Sequence, residues 1–160
     1  MKGFVHSVNV CAEGGVPKLP VRSAMLGFEG VEGDFNRFRA ERRSGDPARA
    51  VCIYSLEVIR ALQKEGHPIE VGTTGENLTF EGLDWSALKV GMVLEVGEAS
   101  LEITEPCAPC NKIEESFTGR KFSRIDHYLE DGWSRWLAKV IGEGVVSPGD
   151  EVFGRNLGEA

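Results

Sequence analysis

Apolar and polar residues alternate from the start of the chain. In Lys2-Gly3-Phe4-Val5-His6-Ser7-Val8-Asn9-Val10 the period of two predicts a first β-strand across the opening ten residues. Gly14-Gly15-Val16-Pro17-Lys18-Leu19-Pro20 follows as an extended, turn-rich stretch, and residues 27–45 read as a long loop. A short apolar run, Arg49-Ala50-Val51-Cys52-Ile53-Tyr54, predicts a buried strand. Ser55 then stands as the cap of a helix reaching about Glu65. Leu56, Ile59 and Leu62 share one face, Glu57 lies in the first turn and Gly66 stops it. Gly72-Thr73-Thr74-Gly75-Glu76-Asn77 is a turn that leads into a short strand at Leu78-Thr79-Phe80. Two alternating segments, 92–96 and 100–104, joined at Gly97-Glu98-Ala99, predict a hairpin. Pro106 and Pro109 are expected to stiffen the next stretch and expel it from the sheet. Spacings of three and four among Ile125, Leu129, Trp133, Trp136, Leu137 and Val140 predict a helix over about 124–141, broken or kinked at Asp131-Gly132. Residues 145–153 close the chain with a turn and a strand. The expected architecture is one mostly β domain over residues 1–160 with two or three small helices.

Composition sharpens this picture in two places. Glycine supplies 20 of 160 residues, against about 7% in ordinary chains, and that many turns favours short strands over a bundle of helices. The formal net charge is −7, which argues against non-specific binding to nucleic acid or anionic lipid. No run reaches the roughly 18 apolar residues of a membrane span, and His6, Ser7 and Asn9 interrupt any signal-peptide core. A cytoplasmic protein is therefore expected, with no nucleic-acid or membrane partner. Four cysteines (Cys11, Cys52, Cys107 and Cys110) are too few for a disulfide scaffold of this length.

Three features could carry chemistry. Cys107-Ala108-Pro109-Cys110 has the C-x-x-C spacing, but Cys11 and Cys52 form no second knuckle for zinc, and the motif leaves a hairpin instead of opening a helix in a βαβ unit. Spacing leaves two readings open: a thiolate ligand or nucleophile on a rigid loop, with Lys112, Arg120 and Lys121 favouring ionisation, or buried thiols packed as small hydrophobes. Arg37, Arg39, Arg42 and Arg43 fall within seven residues. They form an anion site if the fold turns them inward, or a solvated loop if it does not. Asn77, in Gly75-Glu76-Asn77-Leu78-Thr79, suits a turn, and its amide suits the edge of a heterocycle. The chain has no Ser-His-Asp spacing, no dinucleotide or Walker fingerprint and no H-E-x-x-H.

Taken in order, several segments resemble the MOSC domain family, named after the C-terminal part of molybdenum-cofactor sulfurases. They are Gly14-Gly15-Val16-Pro17-Lys18, Gly30-Val31-Glu32-Gly33-Asp34, Gly75-Glu76-Asn77-Leu78-Thr79, residues 90–99, Pro109-Cys110 and Val145-Val146-Ser147-Pro148-Gly149-Asp150. The resemblance implies a β-barrel-like fold and a pocket for the pterin-based molybdenum cofactor (molybdopterin). It implies Cys110, after a proline, as the catalytic thiol that contacts the metal or carries sulfur. Lys18, Asp34, Arg37, Arg43, Asn77 and Lys112 are the expected cofactor-binding residues. Reduction of N-hydroxylated or related nitrogen–oxygen substrates is the implied activity, with a small-molecule substrate and an electron-donor protein. The alternatives are a persulfide carrier loaded by a sulfur-donor desulfurase, or a module that binds and presents the cofactor without turnover. Related hydroxylaminopurine-resistance proteins tend to carry histidines after the Gly-Asp pair, where this chain has Arg42-Arg43-Ser44-Gly45-Asp46-Pro47.

Overall fold

A computed structural model describes residues 1–36, 39–40 and 44–156. Seven strands close into a barrel: β1 (Lys2–Val10), β5 (Val51–Ser55), β6 (Leu78–Glu81), β7 (Val93–Val96), β8 (Ala99–Cys107), β9 (Arg135–Gly142) and β11 (Glu151–Arg155). Around the wall they run β11-β7-β8-β9-β5-β6-β1, and β1 returns to β11 through Lys2↔Phe153, Gly3↔Val152 and Phe4↔Glu151. Closure removes the open edges that a flat sheet would leave. Past the seam β1 shifts register between Val5 and Ser7, and its far end gains β2 (Leu19–Val21) as an outer neighbour. β10 (Gly144–Val146), β3 (Ala24–Gly27) and β4 (Gly30–Val31) make a second, three-stranded sheet.

Local chemistry accounts for the element that links β5 to β6. These two strands are parallel, and a parallel pair needs a crossover, supplied by α1 (Leu56–Lys64). The Ser55 hydroxyl accepts a hydrogen bond from the Val58 amide at 3.2 Å, the capping contact expected of that residue and worth about 1 kcal/mol. Leu56, Val58, Ile59 and Leu62 are buried against the barrel. At the other end Gly66 takes φ +99° and the His67 amide reaches back to the Leu62 carbonyl, which stops the helix. The β7–β8 hairpin also follows its sequence signal, turning at Gly97-Glu98.

Three expectations are corrected. Residues 124–141 are not a helix: a 3-10 turn ends at Ile125, irregular turns follow, and β9 begins at Arg135. β9 sits between β8 and β5, with both faces covered over its first four residues, so no clean period of two marks it. Leu129, which a helix would have buried, is 72% exposed. The second correction is Pro106, which stays in the sheet opposite Trp136. β8 pairs with β7 only as far as Glu102, so the missing proline N–H costs no ladder bond on that side. The third is the 27–45 stretch, which opens with a hairpin: β4 returns along β3 through Leu26↔Val31 and Gly27↔Gly30. Arg37, Arg42 and Arg43 lie outside the described residues. Among the described residues no helix is long and apolar enough to cross a membrane.

Candidate functional site

At one end of the barrel, three residues expected to bind cofactor come together. Lys18 and Asp34 form an ion pair, Nζ to Oδ1 2.7 Å and to Oδ2 2.8 Å, with side chains only 8% and 6% exposed. Asn77 donates from Nδ2 to Asp34 Oδ2 (3.0 Å) and to the Asn9 carbonyl (3.3 Å), while its Oδ1 accepts the Cys52 amide (3.0 Å). The Cys11 amide adds a further bond to Asp34 Oδ1 at 2.8 Å. Asp34 thus neutralises a buried cation and ties together the ends of β1, β5 and β6. Asn77 directs all its amide groups into this clasp, so it positions the rim.

The turn that carries Asn77 is held tightly. Gly72 has φ +84°, and a Cβ there would collide with the carbonyl of Lys18. Glu76 is fully buried; its two oxygens accept from the Thr74 hydroxyl (3.1 Å) and the Thr79 hydroxyl (3.2 Å). Burial raises the Glu76 carboxyl above its ordinary value, against the opposing pull of the backbone amides of Gly72 and Glu76, the Thr74 hydroxyl and Arg135. Ser116, which ends the 3-10 turn that follows Cys110, donates towards Thr73, with its hydroxyl 2.9 Å from Thr73 Oγ1 and 3.3 Å from the Thr73 carbonyl. The turn over 72–77 and the loop over 107–116 therefore share one rim.

Arg135 is the residue that the sequence reading missed. It starts β9 opposite Cys107 and is 6% exposed. Its Nη1 donates to the Thr74 carbonyl (2.5 Å), and Nη2 to the carbonyls of Ala108 (3.3 Å) and Cys107 (3.5 Å). One charged residue set before the apolar run Trp136-Leu137-Ala138 was the available signal, hidden by the expected helix. Arg39 does the opposite of what an anion site needs. It donates to the carbonyls of Glu29, Gly45 and Asp46 and so staples its own loop.

The cysteines separate by environment. Cys110 is exposed where the chain leaves β8, immediately before the 3-10 turn Asn111–Ser116, which also carries exposed Lys112. Cys107 is half-buried and Cys52 is buried. The described residues hold no cluster of three or more His, Cys, Asp or Glu side chains able to grip a bare ion. A single exposed thiol suits a metal that arrives with sulfur ligands of its own, and in that respect the donor set fits a pterin-dithiolene metal.

A family model described as MOSC domain matches residues 40–153. The chain is 32% identical over 139 residues to the uncharacterised protein YflK of Bacillus subtilis, covering 86% of this chain and 61% of that one. It is 33% identical over 129 residues to protein YiiM of Escherichia coli, covering 77% of this chain and 55% of that one. The chain thus spans less than two-thirds of the length of either relative. The crystal structure of YiiM from Escherichia coli superposes over 100% of this chain and 72% of its own, with a TM-score of 0.72 at 25% identity. The YUAD protein from Bacillus subtilis shares the fold alone, with a TM-score of 0.75 at 19% identity over 95% of this chain and 94% of that one.

Proposed function

The chain belongs to the MOSC domain family, and from that membership we propose that it holds the molybdenum cofactor and reduces N-hydroxylated or related nitrogen–oxygen substrates. The observation that carries the reading is Cys110: a thiol presented to solvent on a short loop fixed from below by Arg135. When bound, the cofactor supplies a metal that accepts an oxygen atom and cycles by two electrons, so an electron-donor protein belongs to the proposal. Cys110 is the protein's thiolate toward that metal, and a soft donor is the appropriate kind. Lys112, exposed two residues further on, supplies positive charge for the cofactor's phosphate. Arg37 and Arg43 join it on the grounds of sequence. Lys18 and Asp34, locked together, and Asn77 hold the turn over 72–77 in register as part of the rim.

The test is to make the full chain in a host with intact cofactor synthesis and measure its molybdenum and pterin. Near-equimolar content of both is expected, with turnover of an N-hydroxylated base under a chemical reductant. Cys110→Ser should lower that turnover at least a hundredfold. Protein with neither metal nor pterin overturns the reading. A persulfide on Cys110 without molybdenum overturns it in favour of a sulfur carrier, and equimolar cofactor with no turnover in favour of a presenting module.

A further inference from the structure

Arg135 poses a question of charge. It is a buried cation, and among the described residues no carboxylate lies within ion-pair distance of it. Three backbone carbonyls take its Nη1 and Nη2 protons, while its Nε has no partner at all. A buried charge of that kind is costly, and a neighbouring anion lowers the cost. Burial opposes its charge, and the groups that support it electrostatically are, in order of effect, Cys107, Cys52, Tyr54 and Glu76. Cys107 stands directly opposite Arg135 across the β8–β9 ladder. Cys52 comes from β5 on the far side of β9, where it pairs with Leu137, two residues along that strand from Arg135 and therefore on the same face. Cys52 is buried and Cys107 half-buried; contact between the two thiols, with burial, holds the Cys52 thiol above its ordinary range, and the same contact lowers Cys107.

We propose that Cys107 is a reactive thiolate, with Cys52 as its hydrogen-bond donor and Arg135 as its counter-cation, that is oxidised reversibly by small hydroperoxides. The thiolate attacks one peroxide oxygen. An S–O bond forms and the O–O bond breaks; the sulfur gives up two electrons and the other oxygen leaves as hydroxide or alkoxide, protonated by water. A low-molecular-weight thiol then condenses with the sulfenic acid, releasing water and leaving a mixed disulfide. A second equivalent of that thiol frees Cys107. Cys52 does not close a disulfide onto Cys107, because β9 lies between their strands. Two strand spacings alone put the two Cα atoms at least roughly 9 Å apart, and their partners on β9, Arg135 and Leu137, are two residues out of register besides, beyond the roughly 4.4–6.8 Å that a disulfide spans. This chemistry concerns a different sulfur from Cys110 and does not depend on any cofactor.

Four groups set the ionisation of Cys107. The Cys52 hydrogen bond lowers its pKa most, burial opposes this, Arg135 and Arg49 lower it further, and Glu105 pushes back, leaving it at about 6. The experiment is residue-resolved alkylation of the purified full chain with iodoacetamide between pH 5 and 9, read by mass spectrometry. A second arm adds one equivalent of hydrogen peroxide and traps with dimedone. The expected midpoint for Cys107 lies near pH 6, with the dimedone adduct on Cys107 at least ten times more abundant than on Cys52. Cys52→Ala should move that midpoint up by at least one pH unit, and Cys52→Ser, which keeps a donor, should move it back down. A wild-type midpoint in the ordinary thiol range of about 8.5, or a peroxide adduct confined to Cys110, overturns the proposal. Should Cys52→Ala fail to fold, the wild-type profile decides alone.

Discussion

At the scale of single residues, Glu76 shows what burial does to a carboxyl that has partners but no cation in contact. Two hydroxyls and two backbone amides support its charge, yet removal from water outweighs them and the pKa stays raised. A carboxyl raised in the folded state holds its proton after the unfolded chain has released its own. Stability therefore falls as pH climbs from the ordinary Glu value through the raised one, and levels off above it. Glu65 contributes the opposite slope, because its hydrogen bonds with Arg124 lower its pKa. Comparing wild type with Glu76→Gln isolates the first effect. In urea unfolding at a series of pH values, wild-type stability should fall relative to that of the variant as pH climbs; parallel curves would mean that water reaches Glu76. The Cys52–Cys107 pair obeys the same logic with opposite signs, since one shared proton raises one thiol and lowers its partner.

At the scale of elements, glycine separates turns that are merely bent from turns that are also crowded. Gly66 after α1 and Gly72 in the rim turn both have positive φ, at +99° and +84°. A Cβ at Gly66 meets nothing within 4 Å, whereas one at Gly72 runs into the Lys18 backbone. Gly66→Ala should cost about 1–2 kcal/mol, the penalty of left-handed backbone alone. Gly72→Ala should cost clearly more, because the carbonyl it displaces belongs to the residue that ion-pairs with Asp34. Equal midpoints for the two variants in thermal unfolding would show that the rim yields freely. The same scale explains which elements could be read directly. α1 carries its own cap, its own apolar stripe and its own stop signal, all within a dozen residues. β9 carries none of these. Trp136, Leu137 and Val140 imitate the end of a helical stripe because a strand covered on both faces spaces its apolar residues freely, while Ile125 and Trp133, which continue the stripe in sequence, stand in the turns before it.

At the scale of the whole molecule, the barrel closes through an uneven seam. β1 meets β11 over three paired positions, whereas β8 meets β9 over seven. Because local opening follows the weakest cooperative contacts, amides at the β1–β11 seam should exchange with deuterium well before those of the β8–β9 ladder. Uniform protection around the wall would contradict that order. The net charge of −7 also has a local consequence. In an acidic chain, a cation buried at one rim is a committed feature of the fold, and Arg135 and Lys18 are both buried there.

The sequence alone determined whatever depends on neighbours along the chain. The capped helix, the β7–β8 hairpin and the glycine-bent turns are short-range, so a few residues specify each of them. It also carried the ordered set of segments by which the family was legible, and it marked out Cys110, Lys18, Asp34 and Asn77. It did not say that Asn77 directs its amide into the protein, that Arg39 staples its own loop, or that Cys107 belongs with Cys52 instead of Cys110. The Arg39 contacts span 6 to 10 positions and depend on how one loop folds back on itself; those of Asn77 join residues 25 to 68 positions apart, which meet only when the strands lie side by side. Tertiary structure decided them because the charge state of a buried group depends on distance and solvent exclusion, and neither is written in the order of the residues.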